Sequence, residues 1–157
     1  MKIKLIVIGK TDSLQLKDLT DDYLNRLKHY ISFEMEVIPD IKKTKNLSEV
    51  NQKKMEGEEI LKRMNPGDEL ILLDENGKSF TSEGFSGLLQ KKMNSGLKNL
   101  IFVIGGPYGF SDEVYARASS KLSLSKMTFS HQMIRLFFVE QVYRAFTILR
   151  NEPYHHR

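Results

Sequence analysis

The residues able to do chemistry gather in the last third of the chain. "IGGPYG" at 104–109 clears side chains from Gly105, Gly106 and Gly109 within five positions. Such a stretch lets main-chain N–H and C=O groups approach a flat ligand, and it permits positive φ without steric cost. An adenine can be gripped this way, with apolar side chains such as Leu73 and Met127 completing the contact. A tight Gly-Gly-Pro turn from strand to helix uses the same residues for a purely structural end. The Rossmann glycine pattern is absent, and the P-loop pattern needs a glycine where this chain has Leu72, five residues before Gly77.

The titratable candidates are four histidines, His29, His131, His155 and His156, and no cysteine. None forms a His-x-x-x-His or His-Glu-x-x-His pair, so no metal is expected. The lack of cysteine excludes disulfides and thiolate metal sites and fits a reducing cytoplasm. Glu140 and Arg144 lie four apart on a predicted helix and can pair, as can His131 and Arg135 on another face.

These residues need a scaffold, and the hydrophobic periodicity predicts one. Strand patterns over 2–9, 33–40, 68–75, 99–105 and 122–125 alternate with helical patterns. The helices cover 14–30, 47–64, a segment capped by Ser82 and ended by Gly96, a short one from Ser111 to about Ser120, and 131–150. Asn76-Gly77 ends the third strand. The alternation predicts an α/β fold with a mainly parallel sheet, as one domain over 1–157. In such sheets ligands bind beyond the carboxyl ends of the strands. Three loops leave such ends: 72–78, 104–109 and 122–129.

The helix over 131–150 is apolar around nearly its whole circumference, from Met133 to Leu149. A helix of that kind is covered on several sides. Either it is central in a monomer or a second copy of the chain completes its cover.

The bulk composition is that of an ordinary globular protein, with 40% apolar and 28% charged residues in 157. No apolar stretch approaches the length that spans a bilayer, and "MKIKLIVIGK" reads as a strand rather than an export signal. A net charge of +4 and a pI near 9.2 favour a polyanionic partner without naming it.

Four segments together are specific: "KIKLIVIGK", "FVIGGPYGF", "LSLSKMTFSHQMIR" and "VEQVYRAFTILRNEPYHH". In this order they closely resemble the RlmH family of SPOUT-class methyltransferases, and the resemblance runs from Met1 through the tail. It implies a deep C-terminal trefoil knot, a homodimer packed through the knotted region, and S-adenosylmethionine bound in the knot loops. It further implies methylation of N3 of a pseudouridine in the helix 69 loop of 23S ribosomal RNA, on the assembled 70S ribosome in the cytoplasm. The cofactor contacts it implies are Leu73, Gly105, Gly106, Leu124, Ser125, Lys126, Met127, Thr128 and Phe129. Two departures stand beside these positions: the polar "DENGK" of the first loop, and Ser130 where relatives commonly have proline.

Methyl transfer of this kind needs an aligned nucleophile and an acceptor for the imide proton. The tail offers His155 and His156, and His155 matches the histidine after Pro-Tyr in the family. Tyr154 can stack on a base. Arg144 is expected to orient the target base or hold phosphate and completes the expected catalytic set with His155 and Tyr154, with a plain Glu140 salt bridge as its alternative. Arg135, His131, His156 and Arg157 are the expected RNA contacts. Lys42, Lys43 and Lys45 extend the basic surface or form a solvated loop. With no appended RNA-binding domain, isolated RNA is expected to be a poor substrate. The rival readings are a SPOUT enzyme acting on another RNA such as tRNA, and a non-catalytic ribosome-binding factor.

Overall fold

A computed structural model describes residues 1–41 and 47–157. Lys42, Lys43 and Lys45 lie outside the described residues. The described chain alternates β1 (Lys2–Ile8), α1 (Leu14–Leu27), β2 (Ser32–Ile38), α2 (Glu49–Leu61), β3 (Glu69–Ser79), α3 (Ser82–Asn94), β4 (Asn99–Ile104), α4 (Asp112–Arg117), β5 (Ser120–Ser123) and α5 (His131–Leu149). The strands form one sheet in the order β2-β1-β4-β3-β5, and every pairing is parallel. This is the expected α/β class.

Alternate residues of each strand face opposite sides, so a two-sided sheet needs two apolar sets. Ile3, Leu5, Val7, Phe102 and Ile104 pack against Leu27, Leu89, Phe138, Val139 and Val142, which places α1, α3 and α5 on one side. Ile6, Ile8, Leu70, Leu72, Ile101 and Val103 pack against Ile60, Phe110 and Val114, on the side of α2 and α4. β4 is central and fully apolar from Leu100 to Ile104, as its sequence requires.

Each helix start carries a side-chain cap. Ser13, Ser48, Ser111 and Ser130 accept from the backbone N–H three residues on. Ser130, the departure from the family's proline, thus supplies the cap of α5, accepting from Met133 N at 3.1 Å. The cap of α3 is Thr81, not Ser82: Gly84 N donates to Thr81 Oγ1 at 2.9 Å. Ser82 begins the helix and donates instead to Gln141 on α5.

Two strand boundaries differ from expectation. β3 does not stop at Asn76-Gly77 but continues to Ser79, pairing with β5 on both sides of a bulge between Leu73 and Lys78. A Cβ on Gly77 would lie 2.6 Å from the β5 backbone at Leu122, so this glycine marks close strand contact rather than the strand's end. β5 itself lies two residues earlier than the 122–125 pattern, which frees Leu124 and Ser125 for the loop beyond it.

Candidate functional site

β4, β3 and β5 are neighbours, so the three loops at their carboxyl ends converge. They enclose a cleft of about 560 Å³, within the size range of small-molecule sites. Leu73, Gly105, Gly106, Leu124 and Ser125 line it, as do Met127, Thr128 and Phe129. Lys126 is the one expected cofactor contact that does not. His131, expected to face RNA, lines this cleft instead.

The glycine loop is shaped from behind. A Cβ on Gly105 would meet the Phe110 ring at 2.9 Å, and one on Gly106 would meet the Glu56 carboxyl at 2.6 Å. Gly109 has φ +81°, and its N–H donates to Gly106 O at 3.2 Å, closing the turn over Pro107 and Tyr108. The missing side chains at 105 and 106 therefore answer first to the protein's own packing. The cleared main chain then forms a wall of the cleft.

The lining charge is distinctive. Asp74 and Glu75 are its carboxylates, and no lysine or arginine lines the cleft among the described residues, in a chain of net charge +4. Asp74 is held at both oxygens: Asn76 N donates to Oδ1 at 2.8 Å, and the Tyr115 hydroxyl donates to Oδ2 at 2.7 Å. Burial, with help from Asp74, pushes the Tyr115 phenol up to about 12, so the hydroxyl remains a donor at neutral pH. The bulge in β3 puts this acidic edge at the cleft.

The tail makes a second constellation. Asn151 adopts φ 55°, a left-handed residue just past the helix end. Asn151 N donates to Ile148 O and Glu152 N to Thr147 O, the paired bonds of a Schellman cap. Asn tolerates this conformation better than most residues, and the cap turns the chain back along α5. The Tyr30 hydroxyl then donates to Glu152 at 2.5 Å.

Beyond that anchor, the three expected catalytic residues meet. The Arg144 guanidinium donates to Glu140 Oε1 at 2.6 Å and to His155 Nδ1 at 3.2 Å. Tyr154 donates to the same Glu140 oxygen at 2.9 Å and sits 3.0 Å from the Tyr23 hydroxyl. Its ring packs edge-on against Tyr143 and under the Arg144 guanidinium. Burial, then the bonds to Tyr23 and Glu140, push the Tyr154 phenol well above its ordinary value. It is a donor, not a base, and its ring is already stacked.

Arginine can only donate, so His155 Nδ1 must accept from it. The neutral ring then carries its proton on Nε2, which lies 3.9 Å from Glu83. Arg157 pairs with the same Glu83 at 2.7 Å, and His156 is exposed.

Between the two constellations lies a second cleft of about 470 Å³. It shares the wall Leu122–Ser125 and Phe129 with the first, and Phe80, Phe85, Phe137 and Glu140 complete it. Glu140 thus joins the tail cluster to this cleft. Arg135 does not join either. Expected at an RNA surface, it is only 3% exposed and donates to Ile8 O at 2.7 Å and Thr11 Oγ1 at 3.1 Å. It is a tie between α5 and the turn after β1, where burial lowers its guanidinium against the opposing pull of Asp40 and Asp12.

α5 packs on the sheet between α1 and α3, and part of its outer face is left open. Met133 and Phe137 are open, and Met127 and Phe129 extend the same apolar patch, with the Phe129 and Phe137 rings 5.3 Å apart. Among the described residues no helix is long and apolar enough to cross a membrane, and no group of three or more acidic, histidine or cysteine side chains could hold a metal.

The family described as predicted SPOUT methyltransferase matches residues 1–155. A protein of Christiangramia forsetii named ribosomal RNA large subunit methyltransferase H is 68% identical over 157 residues, all of both chains. Proteins of the same name from Flavobacterium johnsoniae and Parabacteroides distasonis are each 67% identical, over 157 and 156 residues and at least 99% of both chains. With the parallel sheet and the three-loop cleft in place, these likenesses settle the kinship: the chain belongs to the RlmH family of SPOUT methyltransferases.

Proposed function

We propose that this protein methylates N3 of a pseudouridine in the helix 69 loop of 23S ribosomal RNA, with S-adenosylmethionine as donor and the assembled 70S ribosome as substrate, in the cytoplasm. The observation that carries the reading is the acidic, main-chain-walled cleft at the edge of β3, β4 and β5. Asp74 and Glu75 suit a ligand with a sulfonium and an ammonium group. Leu73, Leu124 and Met127 offer apolar contact to an adenine. The full-length relatives named as large-subunit ribosomal RNA methyltransferases support the substrate class.

When bound, S-adenosylmethionine supplies a methyl group on a good leaving group, so the chain's task is alignment and proton removal. The main chain of Gly105 and Gly106, with Leu124, Ser125, Met127, Thr128 and Phe129, holds the ligand at the cleft. The second cleft, with its phenylalanine rings, accepts the target base. His155 takes the imide proton through Nδ1, which becomes available once Arg144 turns to an RNA phosphate. Tyr154 keeps Glu140 and the tail in register for that exchange. His156 and Arg157 extend the phosphate contacts.

The open patch of Met127, Phe129, Met133 and Phe137 is the surface of a homodimer, and the trefoil knot belongs to the same reading. The dimer forms the RNA surface, so the ribosome must supply contacts that a short RNA lacks.

Mass spectrometry of 23S RNA from a strain lacking this protein tests the substrate. Loss of one methylpseudouridine, restored by the gene, is the expected result. An unchanged ribosomal RNA with loss of a tRNA methyl group would replace this reading with its tRNA rival. Equal activity on a naked helix 69 oligonucleotide would remove the requirement for the ribosome.

A further inference from the structure

α2 is the least apolar of the long helices, and its sequence predicts a peripheral element. Yet it buries a carboxyl group. Glu56 is 3% exposed, and beside it Gln52 is 7% exposed. A buried group of this kind is held by bonded partners, of which Gln52 is one, and is therefore fixed in place.

Its carboxyl group stands directly against the glycine loop. The two Glu56 carboxyl oxygens occupy the space of a side chain at Gly106, 2.6 and 2.7 Å from where a Cβ would stand. Gln52 Nε2 donates to Oε2 at 3.3 Å and orients the group. One residue on, a Cβ at Gly57 would lie 2.4 Å from Ser111 Oγ, so α2 also presses on the cap of α4. The loop from Gly106 to Ser111 is therefore backed by α2 at both ends. Its other side lines the cleft.

We propose that Glu56 is a positioning residue for the ligand-binding loop: from outside the cleft, its carboxyl group props the Gly106 main chain in the orientation that meets the methyl donor. This rests on the reading of the cleft as the donor site. The carboxyl group, oriented by Gln52, fills the space behind Gly106, and its removal leaves a gap into which the loop can shift. It acts without touching the ligand, so its loss weakens donor binding and leaves saturated turnover little changed.

The test combines calorimetric titration of S-adenosylmethionine, ribosome methylation kinetics and amide hydrogen exchange on the full-length protein. Glu56→Ala is expected to raise the donor Kd and KM about tenfold, with kcat at saturating donor within about threefold of wild type. Glu56→Gln, which keeps the shape and an acceptor oxygen, should restore the Kd to within about threefold. Without ligand, amides of 105–110 should exchange about tenfold faster in Glu56→Ala, while those of β1 stay as in wild type. The proposal is overturned by an unchanged Kd with unchanged loop exchange, or by a parallel acceleration in β1, which marks general loosening.

If Glu56→Ala does not fold, Gln52→Leu decides: a Kd raised about threefold with β1 exchange intact supports the proposal, and an unchanged Kd overturns it. Should wild type itself fail to bind the donor, the reading of the cleft falls, and loop exchange alone then supports or overturns the propping role.

Discussion

The glycine loop and the C-terminal tail hold their functional groups in opposite ways. The loop presents main chain, and its position is set by what stands behind it: the Phe110 ring at Gly105 and the Glu56 carboxyl at Gly106. The tail presents side chains, tied by Arg144, Glu140, Tyr154 and His155 in one half-exposed network. A packed wall transmits every change in its backing, because interiors are close-packed. A polar network of side chains can lose one member with the fold intact. Donor binding and proton handling should therefore be separable by mutation, and the separation should run along this line.

The largest split is expected at Arg144. Arg144→Ala should lower kcat/KM on ribosomes about 100-fold, the scale of a positioned proton-transfer partner, and leave the donor Kd within about twofold. Steady-state kinetics beside calorimetry reads both, and a matching loss of donor affinity would merge the two regions. Next comes the patch beside them. Phe137→Glu puts a charge into the apolar face and should weaken self-association about 30-fold by sedimentation equilibrium. A distribution unchanged from wild type would remove the dimer from that face.

The backing of the loop predicts a smaller effect on stability. Gly105→Ala should cost about 1–3 kcal/mol in urea unfolding by overpacking against Phe110. Phe110→Leu in the same chain should recover most of that loss. If it does not, the glycine answers to something other than the ring.

The smallest effect concerns the tail's anchor and appears only in alkali. The hydrogen bond to Glu152, with burial, pushes the Tyr30 phenol from 10.0 to about 12. The folded state thus holds this proton more tightly than the unfolded chain. The resulting stabilisation is complete below pH 10.0 and is lost as pH rises through about 12. Urea melts of wild type and Tyr30→Phe should converge across that window, and parallel curves would contradict the anchor.

Much of this was legible in the residues. Strand and helix order followed from periodicity, and the three ligand loops followed from a parallel sheet. Their convergence required β4, β3 and β5 to be neighbours, which the sheet order supplies. What stayed hidden were polar residues whose place is decided by tertiary contact. Glu56 on a sparsely apolar helix reads as solvent-facing, and its burial depends on a glycine fifty residues away. Arg135 reads as a phosphate contact, but its partner is the Ile8 carbonyl in another element. Asn76-Gly77 is a common turn dipeptide, and only the approach of β5 to Gly77 reveals a bulge. Asn151, by contrast, was a readable signal: an Asn just past a long helix, followed by Pro153, marks a left-handed cap.

The most direct measurement is calorimetric titration of S-adenosylmethionine into the wild-type protein and into Thr128→Arg. Thr128 is exposed and lines the cleft, so arginine there should block it and repel a cationic ligand without loss of fold. The expected result is saturable wild-type binding in the micromolar range, weakened about 100-fold in the variant at unchanged melting temperature. Absence of binding to wild type, or equal affinity in both proteins, would contradict the assignment of this cleft.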